Sequence, residues 1–283
     1  MLFGIQFQGS LKEDMPYLFD HFDSVRKLLS LAPFGLFTDV DGTISEIAPS
    51  PAEARVSPVC RQSLAVLAKH LAVVVAVSGR PAAEAREMVG IDEMVYIGNH
   101  GYERWVGGGV ELVPRVGDYP ARVKAVLDEL RRLVSIEGII LENKGPTASI
   151  HYRRCRDREA ALKAIISAVG GLARASDLRV SLGKMAVELR PPLEVSKGTA
   201  VFSLIREHYL SGAIYLGDDL TDVDVFVAFH QKGLPFKGLA IGVIGEETVP
   251  QVARQADFTV NGVGDVERFL RQVVVEVVGR PAP

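Results

Sequence analysis

The segment Phe34-Gly35-Leu36-Phe37-Thr38-Asp39-Val40-Asp41-Gly42-Thr43 decides how the rest of the chain is read. A short apolar run, Phe34 to Thr38, ends in a turn that carries two carboxylates and a glycine. A run with no alternating polar face predicts a strand buried on both sides, as in a parallel sheet covered by helices. The same pattern recurs along the chain. Residues 72–77 run into Ser78-Gly79-Arg80-Pro81, 95–97 into Gly98-Asn99-His100-Gly101, and 213–216 into Gly217-Asp218-Asp219. Residues 238–243 and 258–260 read as further buried strands. Helical spacing fills the intervals at 58–70, 81–89, 196–208, 222–229 and 263–278, with Pro81 suited to a first helical turn. Another helix precedes Leu31, with Phe22, Val25, Leu28 and Leu29 on one face. Strands alternating with helices predict an α/β fold.

The middle of the chain changes rhythm. A helix at 119–134, strands at 137–143 and 148–153, a helix at 157–174, and a hairpin of 178–182 with 185–190 around Gly183-Lys184 give an α-β-β-α-β-β order. This predicts a separate α+β unit inserted into the larger domain. The expected division is 1–115 for the first part of the core, 116–189 for the insertion and 190–283 for the second part. Gly107-Gly108-Gly109 and Pro114 stand near the entrance of the insertion, and Pro191-Pro192 near its exit.

With 283 residues of which 48% are hydrophobic, the chain can bury a large core and is not a disordered type. Thirty-two Lys and Arg against 35 Asp and Glu leave a formal charge of −3, which gives no electrostatic case for nucleic acid or an anionic membrane. The two cysteines, Cys60 and Cys155, are too few for a disulfide framework or a cysteine zinc site. Residues 1–10 lack a basic start followed by an apolar stretch, and the longest apolar run, 71–77, is far too short to span a bilayer. The expectation is a soluble cytoplasmic protein.

Asp39 and Asp41 at a buried strand end are costly unless metal, hydrogen bonds or protonation compensate, or unless they cap a turn. The second acidic loop, Gly217-Asp218-Asp219-Leu220-Thr221-Asp222, also follows an apolar strand. Ligands of open α/β sheets gather at the carboxyl ends of strands, so two acidic ends can converge on a hard cation. Few protein ligands together with phosphate chemistry favour Mg²⁺. Asp222 and Asp224 also suit a helix start, which accounts for Asp224 by itself. Ser78-Gly79-Arg80, between a strand and a helix, offers hydroxyl, backbone N–H and guanidinium to an anion, and Lys197 adds positive charge at another helix start.

Taken in order, Asp39 to Thr43, Ser78 to Arg80, Lys197, and Asp218-Asp219 with Asp222 resemble the four motifs of the haloacid dehalogenase superfamily. The resemblance narrows to its trehalose-6-phosphate phosphatases through Gly98 to Glu103, Glu142-Asn143-Lys144, His151-Tyr152-Arg153, Val187 to Pro191, and Gly217 to Asp222. Val223 stands where that family commonly has an acid, outside the expected metal ligands. The resemblance implies a Rossmann-like core with an inserted α+β cap domain and Mg²⁺-dependent hydrolysis of trehalose 6-phosphate through an aspartyl-phosphate. It implies Asp39 as nucleophile and Asp41 as general acid and base. Mg²⁺ is expected on the Asp39 carboxylate, the Asp41 carbonyl and Asp218, with Asp222 supporting the metal's waters. Ser78, Gly79, Arg80 and Lys197 would hold phosphate, and Asn99, His100, Glu142, Lys144, Arg153 and Glu188 the sugar. His151 could as well be a satisfied strand residue, Arg190 the partner of a nearby carboxylate, and Trp105 a packing anchor. Supply of substrate by a trehalose-6-phosphate synthase is implied in turn. The competing readings are a phosphatase for sucrose phosphate or a glycosylglycerate phosphate, and a non-catalytic sugar-phosphate sensor.

Overall fold

A computed structural model describes residues 16–183 and 185–279; the expected hairpin tip at Lys184 and the start at 1–10 lie outside them. In chain order the elements are α1 (Phe22–Leu29), β1 (Phe34–Thr38), α2 (Pro58–Leu67), β2 (Val73–Val77), α3 (Ala82–Val89), β3 (Val95–Gly98), β4 (Glu103–Val106) and β5 (Gly109–Leu112). Then follow α4 (Tyr119–Leu133), β6 (Ile140–Asn143), β7 (Ala148–His151), α5 (Arg158–Ala175), β8 (Arg179–Gly183) and β9 (Ala186–Arg190). The chain continues through α6 (Lys197–Glu207), β10 (Gly212–Gly217), α7 (Leu220–Phe229), β11 (Lys237–Ile244), α8 (Pro250–Gln255), β12 (Phe258–Asn261) and α9 (Gly262–Val278).

The larger sheet has eight strands in the order β12-β11-β10-β1-β2-β3-β4-β5. The six strands from β12 to β3 are parallel. Successive side chains of a strand face opposite ways, and β1 feeds two cores accordingly. Leu36 joins Val25, Leu64, Phe269 and Val273 of α1, α2 and α9 on one face. Phe37 joins Val201, Phe226 and Val252 of α6, α7 and α8 on the other. Burial on both faces explains why these strands read as unbroken apolar runs.

From β1 the chain steps outward through β2 and β3, and from β10 outward in the opposite direction through β11 and β12. The seam between β1 and β10 is therefore the topological switch point, where neighbouring loops part and leave a crevice. Registers from Phe34↔Gly212 to Thr38↔Leu216 bring both strand ends level. The Asp39 amide donates to the Leu216 carbonyl at 2.8 Å, which extends the pairing by one residue into the acidic turn.

Two features depart from the sequence reading. Gly107 and Gly108, near the entrance of the insertion as expected, form the turn of a β4–β5 hairpin that the sequence reading did not include and that adds two antiparallel strands to the sheet edge. Their φ values of 58° and 91° supply the two left-handed residues that a tight hairpin turn requires. Trp105 on β4 packs against the first core with the Arg86 guanidinium 5.0 Å from its ring centroid, which fits the anchor reading. Pro81 is extended (φ −51°, ψ 141°) and precedes α3 instead of opening it. The α3 N-terminus is capped from a distance, with the Glu103 carboxylate accepting from the Ala82 amide at 2.9 Å.

The second sheet, in the order β6-β7-β9-β8, lies between β5 and α6 in the chain. Its four strands are antiparallel. Ile150, Val187 and Leu189 pack under Val123 and Leu127 of α4 and Ile165 and Val169 of α5. With one face covered by helices, the opposite face is left for the core domain's crevice.

Candidate active site

Asp39 leaves β1 at the switch point and is 5% exposed; Asp218 leaves β10 and is 2% exposed. Gly42 lets the two loops approach. Its φ of 83° is left-handed, and a Cβ there would overlap the Asp218 carboxylate. Lys197, at the first position of α6, is buried and donates from Nζ to Asp39 Oδ1 and to Asp222 Oδ1, each at 2.7 Å. Burial opposes the ammonium charge, but Asp222 and Asp39 outweigh it and hold the lysine protonated, with its pKa raised. Burial pushes the Asp39 carboxyl well up, Lys197 pulls it back, and Asp222 and Asp218 push it further up.

Oxygens of Asp39, Asp218 and Asp222 all lie within 4.8 Å of one another. Three buried acids around one lysine leave negative charge uncompensated, and hard oxygen donors suit a small divalent cation. Asp222 differs from the other two. Its Oδ1 accepts from Lys197 and from Tyr215 Oη at 2.6 Å, and its Oδ2 from the amides of Asp218 and Asp219 at 3.1 and 3.0 Å. Four donors on two oxygens make Asp222 an organiser of the loop and of Lys197. Asp39 and Asp218 are the carboxylates that could hold a cation.

Arg80 reaches Asp41 with both arms, Nε to Oδ2 and Nη2 to Oδ1, each at 2.7 Å. It also donates to the Pro51 carbonyl at 3.0 Å. Ser78 and Asn99, expected at phosphate and sugar, bond to the protein itself in this structure. Ser78 is fully buried, and its hydroxyl accepts the Arg80 amide at 3.1 Å, so it shapes the turn behind Gly79. Asn99 is fully buried as well, and binds the insertion. Its Nδ2 donates to the Lys144 carbonyl at 2.8 Å, and its Oδ1 accepts from Thr147 at 2.7 Å. With both amide atoms spent on that loop, Asn99 faces no ligand space.

The crevice and the second sheet flank a half-open cavity of about 890 Å³. Asp39, Asp41, Gly79, Lys197 and Asp218 line its core side. Glu142, Lys144, Arg153 and Glu188 line the side of the insertion. Glu142 accepts from His151 Nε2 at 2.7 Å with Lys144 Nζ 3.6 Å away. Burial opposes its charge, but His151 and Lys144 hold its carboxyl below the usual range. Glu188 accepts the Ser149 hydroxyl at both oxygens, 2.9 and 3.0 Å. Lys144 Nζ donates to the Gly79 carbonyl at 3.1 Å, which ties the insertion to the turn after β2. His100 also lines the cavity; burial, then Arg190, Lys197 and Lys144, push its pKa well below the ordinary value, so its ring is neutral. At the mouth, Arg153 pairs with Glu247 at 2.9 Å and Arg154 with Glu53 at 2.8 Å, both from insertion to core.

Sequence reading missed Ser149 and Tyr215. Ser149 sits on a strand opposite Glu188, a pairing that only the β7–β9 register reveals. Tyr215 lies inside an apolar run and reads as core.

Fold and site together define an α/β protein of the haloacid dehalogenase type with an inserted second sheet. The trehalose-phosphatase family model matches residues 37–263, and the chain belongs to that family. A trehalose-phosphate phosphatase of Mycobacterium avium is 32% identical over 257 residues, covering 82% of this chain and 63% of that protein. The chain thus spans less than two thirds of that relative. A rice protein (Oryza sativa subsp. japonica) named "Probable trehalose-phosphate phosphatase 3" is 30% identical over 291 residues, covering 93% of this chain and 75% of its own length. The solved C-terminal domain of a Candida albicans trehalose-6-phosphate phosphatase superposes with a TM-score of 0.75 at 22% identity, covering 92% of this chain and 98% of that one. A trehalose-6-phosphate phosphatase related protein gives 0.73 at 24% identity, covering 87% and 100%. These two likenesses carry the fold alone. Among the described residues no helix is long and apolar enough to cross a membrane.

Proposed function

We propose that the chain is a Mg²⁺-dependent phosphatase that hydrolyses trehalose 6-phosphate through an aspartyl-phosphate on Asp39. The observation that carries this reading is the Lys197 ammonium shared between Asp39 and Asp222, with Asp218 alongside, beneath a sheet that offers two further carboxylates. Asp39, the Asp41 carbonyl and Asp218 would hold Mg²⁺, which when bound offsets negative charge and orients the phosphoryl group. Asp39 attacks phosphorus, so an Asp39 oxygen–phosphorus bond forms as the bond to the sugar oxygen breaks. Asp41 gives that oxygen a proton and later takes one from the water that cleaves the acyl phosphate. Both steps need Asp41 mobile, yet Arg80 occupies both its oxygens. An arriving phosphoryl group competes for the guanidinium and frees an Asp41 oxygen for the proton, which joins the phosphate role of Arg80 to the acid–base role of Asp41.

The inserted sheet acts as the cap, residues 116–189. Glu142 and Glu188 accept from sugar hydroxyls and Lys144 donates, with His100 and Arg153 as further sugar contacts. Glu142→Ala, Lys144→Ala and Glu188→Ala are expected to lower kcat/KM for trehalose 6-phosphate about 10- to 100-fold. Hydrolysis of p-nitrophenyl phosphate should change little. Equal losses on both esters, with a fall in melting temperature, would reduce these residues to cap stabilisers.

Closure rests on unequal edges. Asn99, itself buried, fastens one edge through neutral hydrogen bonds, while Arg153–Glu247 and Arg154–Glu53 close the mouth through partly exposed ion pairs. Salt screens exposed pairs, each worth up to about 1 kcal/mol. The double variant Glu53→Gln/Glu247→Gln is expected to raise KM for the sugar phosphate about two- to fivefold and to flatten its dependence on NaCl. An unchanged salt profile would remove the pairs from the closing motion. Free buried Cys60 and Cys155 suit a reducing cytoplasm, and burial pushes the Cys60 thiol up to about 12. A trehalose-6-phosphate synthase upstream would supply the substrate.

A further inference from the structure

Tyr215 is fully buried on β10, its ring edge-on to Phe226 with centroids 6.0 Å apart. Its neighbours on the strand, Ala213, Ile214 and Leu216, are aliphatic. A phenol hydroxyl enters such a core only where it finds a partner. Here it finds Asp222 Oδ1 at 2.6 Å, the oxygen that also holds Lys197. The opposite oxygen is occupied by the amides of Asp218 and Asp219. Lys197 therefore stands between Asp39, which reacts in the proposed function, and Asp222, which is wholly engaged.

We propose that Tyr215 is a positioning residue that sets how Lys197 is shared. By donating to Asp222 Oδ1 it satisfies part of that carboxylate's charge. This tempers the pull of Asp222 and leaves the ammonium at Asp39, where a transferring phosphoryl group arrives. Without the hydroxyl, attraction at Oδ1 concentrates on Lys197 and draws it toward Asp222. Tyr215 does not line the cavity, and its hydroxyl bonds Asp222; it acts through Asp222 and Lys197. This inference rests on the phosphatase reading for its kinetic part, but not for the binding of an oxyanion.

The test compares wild type, Tyr215→Phe, Asp222→Asn and the double variant in the full chain with Mg²⁺. It measures kcat and KM for trehalose 6-phosphate, tungstate affinity by calorimetry, and melting. Tungstate is a tetrahedral oxyanion that stands in for the phosphoryl group. Tyr215→Phe is expected to lower kcat about tenfold and weaken tungstate by a similar factor, as for loss of one hydrogen bond to a charged group. KM should stay within about twofold, and melting within about 3 °C. In the Asp222→Asn background, removal of the hydroxyl should cost less than about twofold more, because its route is gone. Wild-type kcat and tungstate affinity in Tyr215→Phe would overturn the inference, as would fully multiplicative losses in the double variant. A kcat loss that tracks a large fall in melting temperature would also overturn it, in favour of packing alone. A wild type that binds tungstate yet hydrolyses no phosphate ester would defeat the phosphatase reading, and the tungstate comparison would still decide the role of Tyr215.

Discussion

Asp39→Asn is expected to fold normally and to lose turnover by about 10⁴-fold or more, the scale seen when an enzyme loses its nucleophile. The amide oxygen of asparagine still accepts a hydrogen bond from Lys197 but does not form the acyl phosphate. Melting in the absence of metal should be unchanged or higher. Asp39 ionises against burial and against Asp222 and Asp218, so neutralising it relieves crowding among the three acids. Asp41→Asn should behave differently. It keeps its backbone carbonyl and loses proton transfer, worth about 10²–10⁴-fold. Phosphate release and beryllium fluoride trapping separate the two variants, because only Asp41→Asn retains the carboxylate that the trapped species needs. Turnover near the wild-type level in Asp39→Asn would exclude the covalent route.

Lys197→Ala is expected to damage stability and chemistry together. It strips the cation from a site where Asp39 and Asp222 each bond it at 2.7 Å, both nearly or wholly buried. Breaking a buried pair by removing one partner costs about 3–5 kcal/mol. For a chain of this size the melting temperature should fall on the order of 10 °C. Turnover should fall about 10²–10³-fold or more, the usual loss for one donor to a transferring anion. The stability deficit has a definite pH sense. Asp39 already titrates above its ordinary value in the fold, and loss of Lys197 raises it further. A carboxyl with a raised folded pKa destabilises only when ionised, so the deficit should be full above its folded pKa and shrink as pH falls toward the ordinary carboxylate range. Paired melts of wild type and variant from pH 4 to pH 8 read this directly. A deficit that grows toward acid would show that Lys197 is not the counter-charge of the acids.

The parallel core was legible because each of its strands is buried on both faces and therefore reads as a run. The acidic loops were legible because Asp39 and Asp218 follow such runs directly. The β4–β5 hairpin was not, since Gly109 to Leu112 form an exposed edge strand with no apolar run to mark it. Spacing located Ser78, Asn99 and Arg80 near the site but did not give their direction. Ser78 turns back to the Arg80 amide, Asn99 reaches the insertion, and Arg80 meets Asp41. The closing pairs join residues 94 and 101 positions apart, a distance at which charge pattern carries no pairing information. Tyr215 had one faint signal, a phenol in the middle of a strand whose next turn ends in Asp222.

The central claim is tested most directly by phosphate release from a panel of trehalose 6-phosphate, sucrose phosphate and glucosylglycerate phosphate, each with Mg²⁺, with EDTA, and with Mg²⁺ restored. The account predicts that trehalose 6-phosphate exceeds the other esters in kcat/KM by at least about tenfold, since several buried polar contacts discriminate among sugars. It also predicts that EDTA abolishes release and Mg²⁺ restores it. Release that survives EDTA, or a clear preference for one of the other sugar phosphates, would contradict it.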